Sequence, residues 1–256
     1  MKDMVRRVLA GAAVMAAAGS MLFAEGGFAS LFDKAKKHTR TDIEATAKSI
    51  AVDGILVRTT EVMQAEYKAV TGSNPSYYKG NRRPVEKVSW YDAIRFCNLL
   101  SIRDSLAPCY SVKGSTDVSA WERGGSDWNA DDVEWNKSAG GWRLPTEEEW
   151  EKAADDGHKY SGSDDINEVA WYYYNSGGHT HDVAGKKPNA KGIYDMSGNV
   201  YEWCWDRYSD SSSDRVVCGG GFHCDDDSHC TVSYRDNDSP GDLFSSCGFR
   251  VVRNAD

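Results

Sequence analysis

The sequence predicts an α+β fold that is irregular and loop-rich, and three observations carry that expectation. Segments beginning at Ser89 and Thr146 open with helix-capping signatures ahead of apolar residues at helical spacing. Strand-like runs, Gly54-Ile55-Leu56-Val57-Arg58, Arg215-Val216-Val217 and Gly248-Phe249-Arg250-Val251-Val252, are short and scattered along the chain. Gly makes up 24 of the 256 residues, and stretches rich in Gly, Ser and Asp separate the elements.

At the N-terminus Lys2, Arg6 and Arg7 precede an apolar run over 8–23 that ends at Ala24. This is the layout of an export signal, so residues 1–24 read as a signal peptide, and the run is too short to cross a bilayer comfortably. The expected location follows: exported, to the cell surface, outer membrane or periplasm. No Cys precedes Cys97, so the sequence offers no thiol there for a lipid anchor. Residues 25–50 are charged and helix-friendly and read as a tether or surface helix. The globular domain is expected over 51–256.

A net charge of -9, with no clustered basic face, argues against nucleic acid as a partner. Nine Trp and thirteen Tyr supply aromatic surface as well as core. Seven Cys is an odd number, which leaves at least one thiol unpaired within a monomer. No apolar seam is long enough for a coiled coil, and the expected state is a monomer.

After the first strand, residues 61–70 predict a short helix stopped at Thr71-Gly72. Ser89 caps the next helix with Asp92 at its third position, and Cys97 falls on the buried face as a small hydrophobe. Residues 104–141 read as a long irregular insert. Thr146 and Glu149 form a capping box, and Glu147, Glu148 and Glu149 place negative charge at the positive end of the helix dipole. Residues 169–174 read as a strand or aromatic shelf. His179 and His181 are metal-ligand types with no third ligand at metal spacing. In 192–205, Asp195 and Glu202 flank a Gly turn, and their oxygens with the intervening carbonyls suit a hard cation such as calcium. Cys204, between two Trp, reads as buried.

The most unusual stretch is 215–253. Two apolar frame segments bracket a middle crowded with Asp, Ser, His and Cys, and after Trp205 the chain contains no Lys, Glu, Gln, Met or Trp. Core packing does not ask for that bias. Asp225-Asp226-Asp227 reads as a solvated turn. Cys230-Thr231-Val232-Ser233 reads as a strand with Cys230 in the core.

From 61 to 253 the motif order resembles the formylglycine-generating enzyme (sulfatase-modifying factor) family. The residues that carry it are EVMQAEYKAVTGSNPSYY (61–78), VSWYDAIRFCNLL (88–100), WRLPTEEEWEKAA (142–154), GIYDMSGNVYEW (192–203), CGGGF (218–222) and GFRVV (248–252). The resemblance implies a loop-rich variant of the C-type lectin fold. It also implies structural calcium held by Asp195, the carbonyls of Gly198 and Val200, and Glu202. Enzyme members of the family oxidise a substrate cysteine with oxygen and copper(I) through two Cys. Here those would be Cys224 and Cys230, one residue further apart than in the enzymes, with Gly221 where they have Ser.

The same frame resembles the variable proteins of diversity-generating retroelements, including their treponemal members. In that group adenine-directed mutagenesis rewrites a C-terminal cassette bounded by Gly-Gly and Gly-Phe-Arg. Mutated AAC codons reach Phe, Ser, Tyr, Cys, Leu, His, Asp and Gly but none of the five missing types.

Three functional readings follow. The first is a non-enzymatic binder of a variable ligand, a protein or glycan on another cell. Its contact residues are His223, Cys224, Asp225, Asp226, Ser228, His229, Tyr234, Asp236, Asp238, Leu243, Phe244 and Ser245, all expected to be exposed. The second is a copper oxidase that needs Cys224 and Cys230 within thiolate reach. The third is a zinc site from His223-Cys224 and His229-Cys230, which is opposed by adjacent residues on extended chain pointing to opposite faces.

Overall fold

The structure is a computed structural model that describes residues 48–121 and 129–255. The expected signal peptide and nearly all of the expected tether lie outside those residues. The globular part begins earlier than residue 51, because Ser49–Val52 already forms strand β1, paired antiparallel with β2 (Ile55–Arg58). Asp53 and Gly54 join them with φ of 45° and 84°. Positive φ at both turn residues is the hairpin geometry that matches strand twist, and Asp-Gly adopts it readily. The last strand, β9 (Val252–Asn254), pairs with the other edge of β2, which brings the two ends of the described domain into one sheet.

Helix α1 (Gln64–Thr71) starts later than the sequence predicts. Glu61 is drawn into the core instead, and Met63 bridges to Pro84 as extended chain. Helix α2 (Trp90–Arg103) has the expected Ser89–Asp92 capping box, and it buries Trp90, Ala93, Ile94, Phe96, Cys97 and Leu100. Phe96 stacks on Tyr67 at 5.3 Å and meets Phe249 edge-on at 5.3 Å, so α1, α2 and the C-terminal frame share one core. Each such buried apolar side chain contributes about 1.5–3 kcal/mol. The 104–141 insert contains a two-stranded ribbon, β3 (Tyr110–Val112) with β4 (Val133–Trp135). Helix α3 (Glu147–Ala154) carries the Thr146–Glu149 capping box, and α4 (Ile166–Val169) is a single turn.

The 169–174 segment is not a strand. It leaves α4, bridges once to Gly198 at Trp171, and turns at Tyr172. A second sheet, order β7-β6-β5-β8, supports the C-terminal region. Its strands are β5 (Tyr201–Arg207), β6 (Arg215–Cys218), β7 (Arg235–Asp238) and β8 (Cys247–Gly248), with β5 and β8 parallel. The expected strand over 248–252 therefore splits between two sheets, with Phe249, Arg250 and Val251 buried in the crossing. The expected strand at Cys230 is the end of a 3-10 helix (Asp227–Cys230), although Cys230 is fully buried as expected. Among the described residues no helix is long and apolar enough to cross a membrane.

Arg250 fastens this arrangement. Its Nε and Nη2 donate to the two Glu202 oxygens at 2.6 Å each, Nη1 donates to Arg58 O at 3.1 Å and Nη2 to Tyr194 O at 3.0 Å. Trp150 Nε1 donates to Glu202 Oε2 at 2.7 Å. Gly248 must be Gly, since a Cβ there would lie 2.3 Å from Val85 O. Arg250→Met removes one partner of a fully buried pair and should cost about 3–5 kcal/mol. Urea unfolding of the variant against the parent chain measures it.

Candidate functional site

Strand β6 runs into Gly219-Gly220-Gly221, and these glycines turn the chain tightly over the core. Gly220 has φ 72°, and a Cβ there would lie 2.8 Å from Cys230 Sγ, so only Gly fits. His223 then faces solvent, and Asp225, Asp226, Asp227 and Ser228 are exposed. Asp226 caps the 3-10 turn by accepting from Ser228 N at 2.9 Å. His229 is half-buried and stacks on Tyr234 at 4.5 Å. Tyr234, Asp236 and Asp238 are half-buried at the start of and along β7, the edge of its sheet, where residues two apart share a face. Leu243 and Phe244 are exposed and Ser245 is half-buried.

Cys224 departs from its expected place. It is only 4% exposed, and its sulfur is turned inward. The Cys230 thiol donates to it, Gly221 N–H donates at 3.2 Å, and the Tyr201 hydroxyl lies at 3.3 Å. These hydrogen bonds, the one from Cys230 first, make Cys224 the more acidic thiol of the pair, while the same contact and burial push Cys230 upward. Cys224 is therefore part of the floor beneath the exposed residues. Two adjacent thiols are a donor set that copper(I) accepts, so the pair fits that group by its chemistry.

The zinc arrangement does not form. Both cysteines point inward while His223 is exposed and His229 lies against Tyr234. His181 stacks on Trp171 at 3.8 Å with Nε2 2.7 Å from Ser176 O, and His179 Nδ1 lies 2.9 Å from Thr180 O. The calcium donor set does not fit either. Both oxygens of Glu202 are held by Arg250, whose charge balances the carboxylate, and Asp195 Oδ2 accepts from Ala184 N at 2.7 Å. Among the described residues no three His, Cys, Asp or Glu side chains converge as a metal site. Burial pushes the Asp195 carboxyl up to about 6, and burial followed by Asp195 and Glu202 raises Glu61 well above the carboxylate range.

Several residues join the site that the sequence did not single out. Tyr201, the first residue of β5, is its floor, near Cys224 and with the His223 ring at 6.1 Å. A chain of rings runs from Tyr77 to Tyr78 (4.9 Å), Phe222 (5.3 Å) and His223 (5.4 Å). On another side Tyr172, Tyr174 and Asp225, Asp226 and Asp227 line an open cleft of about 490 Å³. Tyr173 N donates to Cys224 O at 3.2 Å and Ser176 Oγ to Phe222 O at 2.8 Å, which ties the tyrosine loop to the Asp loop. Tyr77 and Tyr174 are 67% and 71% exposed. The run Tyr172-Tyr173-Tyr174 was the available sequence signal.

The chain matches the sulfatase-modifying factor enzyme 1-like domain over residues 7–255, and it belongs to that family. It is 37% identical to the protein named chaperone protein LppX of Paenibacillus barcinonensis, covering 81% of this chain and 82% of that one. Among solved structures it is similar to Treponema denticola variable protein 1, with a TM-score of 0.73 and 37% identity, covering 82% of this chain and 92% of the other. It is 30% identical to the formylglycine-generating enzyme of Streptomyces coelicolor over 48% of this chain, and spans only 52% of that enzyme. The fold is thus the α+β, loop-rich fold of the formylglycine-generating-enzyme type that the motifs implied.

The surface is acidic. Residues 206–242 contain nine Asp against three Arg. Partial burial first, then Asp236, Asp242 and Asp214, push Asp238 up to about 6. A carboxyl whose folded pKa exceeds its unfolded value makes the native state bind extra protons, so stability falls as pH rises through about 4 to 6. Asp238→Asn should therefore stabilise the protein at pH 7.5 by about 1 kcal/mol after allowance for solvent screening. At pH 4 the gain should vanish, and thermal unfolding at the two pH values checks the sign.

Proposed function

We propose that this chain is an exported ligand-binding protein and that its 215–253 region is a diversified contact surface on a constant frame. The observation that carries the reading is how that region divides. Gly219 to Phe222 and Cys247 to Val252 are buried, whereas eleven of the twelve expected contact positions between them are exposed or half-buried. The similarity to Treponema denticola variable protein 1 supports a variable protein. Export rests on the signal-like residues 1–24, and display at a surface is what a variable binder needs in order to meet its ligand.

Contact would be made by a rigid tier of Tyr77, Tyr173 and Tyr174 with the changeable His, Asp and Phe positions beside it. Tyrosine offers large contact area at low cost in side-chain entropy, and the polar neighbours supply adaptable hydrogen bonds. Because the tyrosine loop is hydrogen-bonded to the Cys224 and Phe222 backbone, little ordering is left for binding to do.

The adjacency of Cys224 and Cys230 favours a second reading, an oxidase of a substrate cysteine. The two thiols would hold copper(I), which supplies oxygen activation when bound. Gly221 stands where the enzymes have Ser, and both cysteines lie below the surface.

Sequencing the 3′ end of the gene across many cells of the source tests the first reading. Substitutions should cluster at the exposed codons, with Gly219, Gly220, Gly248, Phe249 and Arg250 unchanged. An invariant 3′ end contradicts it, and conversion of a cysteine peptide to the aldehyde by copper-loaded protein would then establish the second.

A further inference from the structure

All seven cysteines are buried free thiols, and the structure arranges them unevenly. Cys224 and Cys230 belong to the site. Cys109 turns its sulfur to Gly141 O at 3.2 Å, and Cys247 turns its own to Gly248 O at 3.9 Å. Cys204 and Cys218 differ from these, because their sulfurs face each other at 4.0 Å across neighbouring strands.

The geometry points to Cys204 and Cys218 as a modification site: a cross-strand disulfide that forms as the chain folds. Strands β5 and β6 are antiparallel with Glu202 opposite Cys218 and Trp203 opposite Val217, so Cys204, two residues beyond Glu202 on the same face, is the diagonal neighbour of Cys218. A disulfide holds its sulfurs at about 2 Å, so closing this pair needs the two sulfurs, now 4.0 Å apart, to approach by side-chain rotation and a small local shift of the strands while they are still forming. The neighbours are apolar: Trp150, Ala153, Val216 and Val252 share the cluster. Among the described residues the one polar approach besides the partner sulfur is Cys204 Sγ to Glu202 O, at 4.0 Å. Closing the bond would therefore sacrifice no strong hydrogen bond.

In the reaction two thiols lose two protons and two electrons to a disulfide oxidant such as oxidised glutathione, which is reduced to two thiols while the protein gains one S–S bond. Exchange proceeds through the thiolate, and burial pushes the Cys204 thiol well up. The folded pair is fully buried, so neither oxidant nor reductant reaches it. The redox state is accordingly set before β5 and β6 close, and is kept afterwards. The bond would fasten the strand that carries Tyr201 to the strand that delivers Gly219-Gly220-Gly221. This inference does not depend on the function proposed above.

The test refolds the reduced full chain in glutathione redox buffer, alkylates the remaining thiols and maps tryptic peptides. The expected product links peptide 192–207, which holds Cys204, to peptide 216–235. The link should disappear in Cys218→Ser and persist in Cys224→Ser. The oxidised parent should melt about 5–10 °C above the reduced parent. Alkylated Cys204 in the oxidatively refolded parent chain, a measurement that needs no variant to fold, overturns the inference. So does a link from Cys204 that survives Cys218→Ser.

Discussion

The bidentate pair between Arg250 and Glu202 is the interaction on which the rest depends. It joins the C-terminal frame to β5, and through the Arg58 and Tyr194 carbonyls and the Trp150 indole it also reaches β2, the 192–199 loop and α3. A fully buried ion pair adds little net stability over an apolar replacement. It does demand one geometry, because a guanidinium or carboxylate left alone in that core would carry a heavy desolvation cost. The residues bracketing the Asp-, Ser- and His-rich stretch are thus fixed chiefly from inside the protein, with β7 and the buried Cys224 and Cys230 the parts of that stretch that join the frame.

This separation explains how the surface can carry such an unusual composition. The turn at Gly219–Gly221 and the crossing at Phe249–Val251 depend on close backbone approaches and buried side chains. The intervening Asp, Ser and His residues mostly satisfy themselves locally or face water, as Asp226 does by capping Ser228. Cys224 marks the limit of that freedom. Its sulfur is enclosed by Gly221, Tyr201 and Cys230, so a side chain of other size there would disturb the floor.

Local chemistry was the legible part of the sequence. The Ser89 and Thr146 capping boxes are written in residues three apart, and the structure has both. The Gly-Phe-Arg frame and the polar middle could be separated by composition alone. Long-range relations were not legible. Nothing near Glu202 in the sequence announces Arg250, and that pairing turns an apparent cation ligand into half of an ion pair. The inward turn of Cys224 depends on Tyr201, and alternation along a strand could not reveal it because the segment is not a strand. Tyr172 to Tyr174 read equally well as a strand or as a shelf. Only the hydrogen bonds to the 222–224 backbone fix them as a wall of the site.

The frame folds without regard to what the surface carries. Replacing the eleven exposed or half-buried contact positions together with Ser, with Cys224 and the frame left intact, tests it most directly. Surface changes of this kind each shift stability by at most about 0.5 kcal/mol in either direction, so cooperative unfolding should persist with a midpoint within about 10 °C of the parent. Loss of cooperative unfolding in the substituted chain would contradict it, because these surface residues would then be holding the fold together.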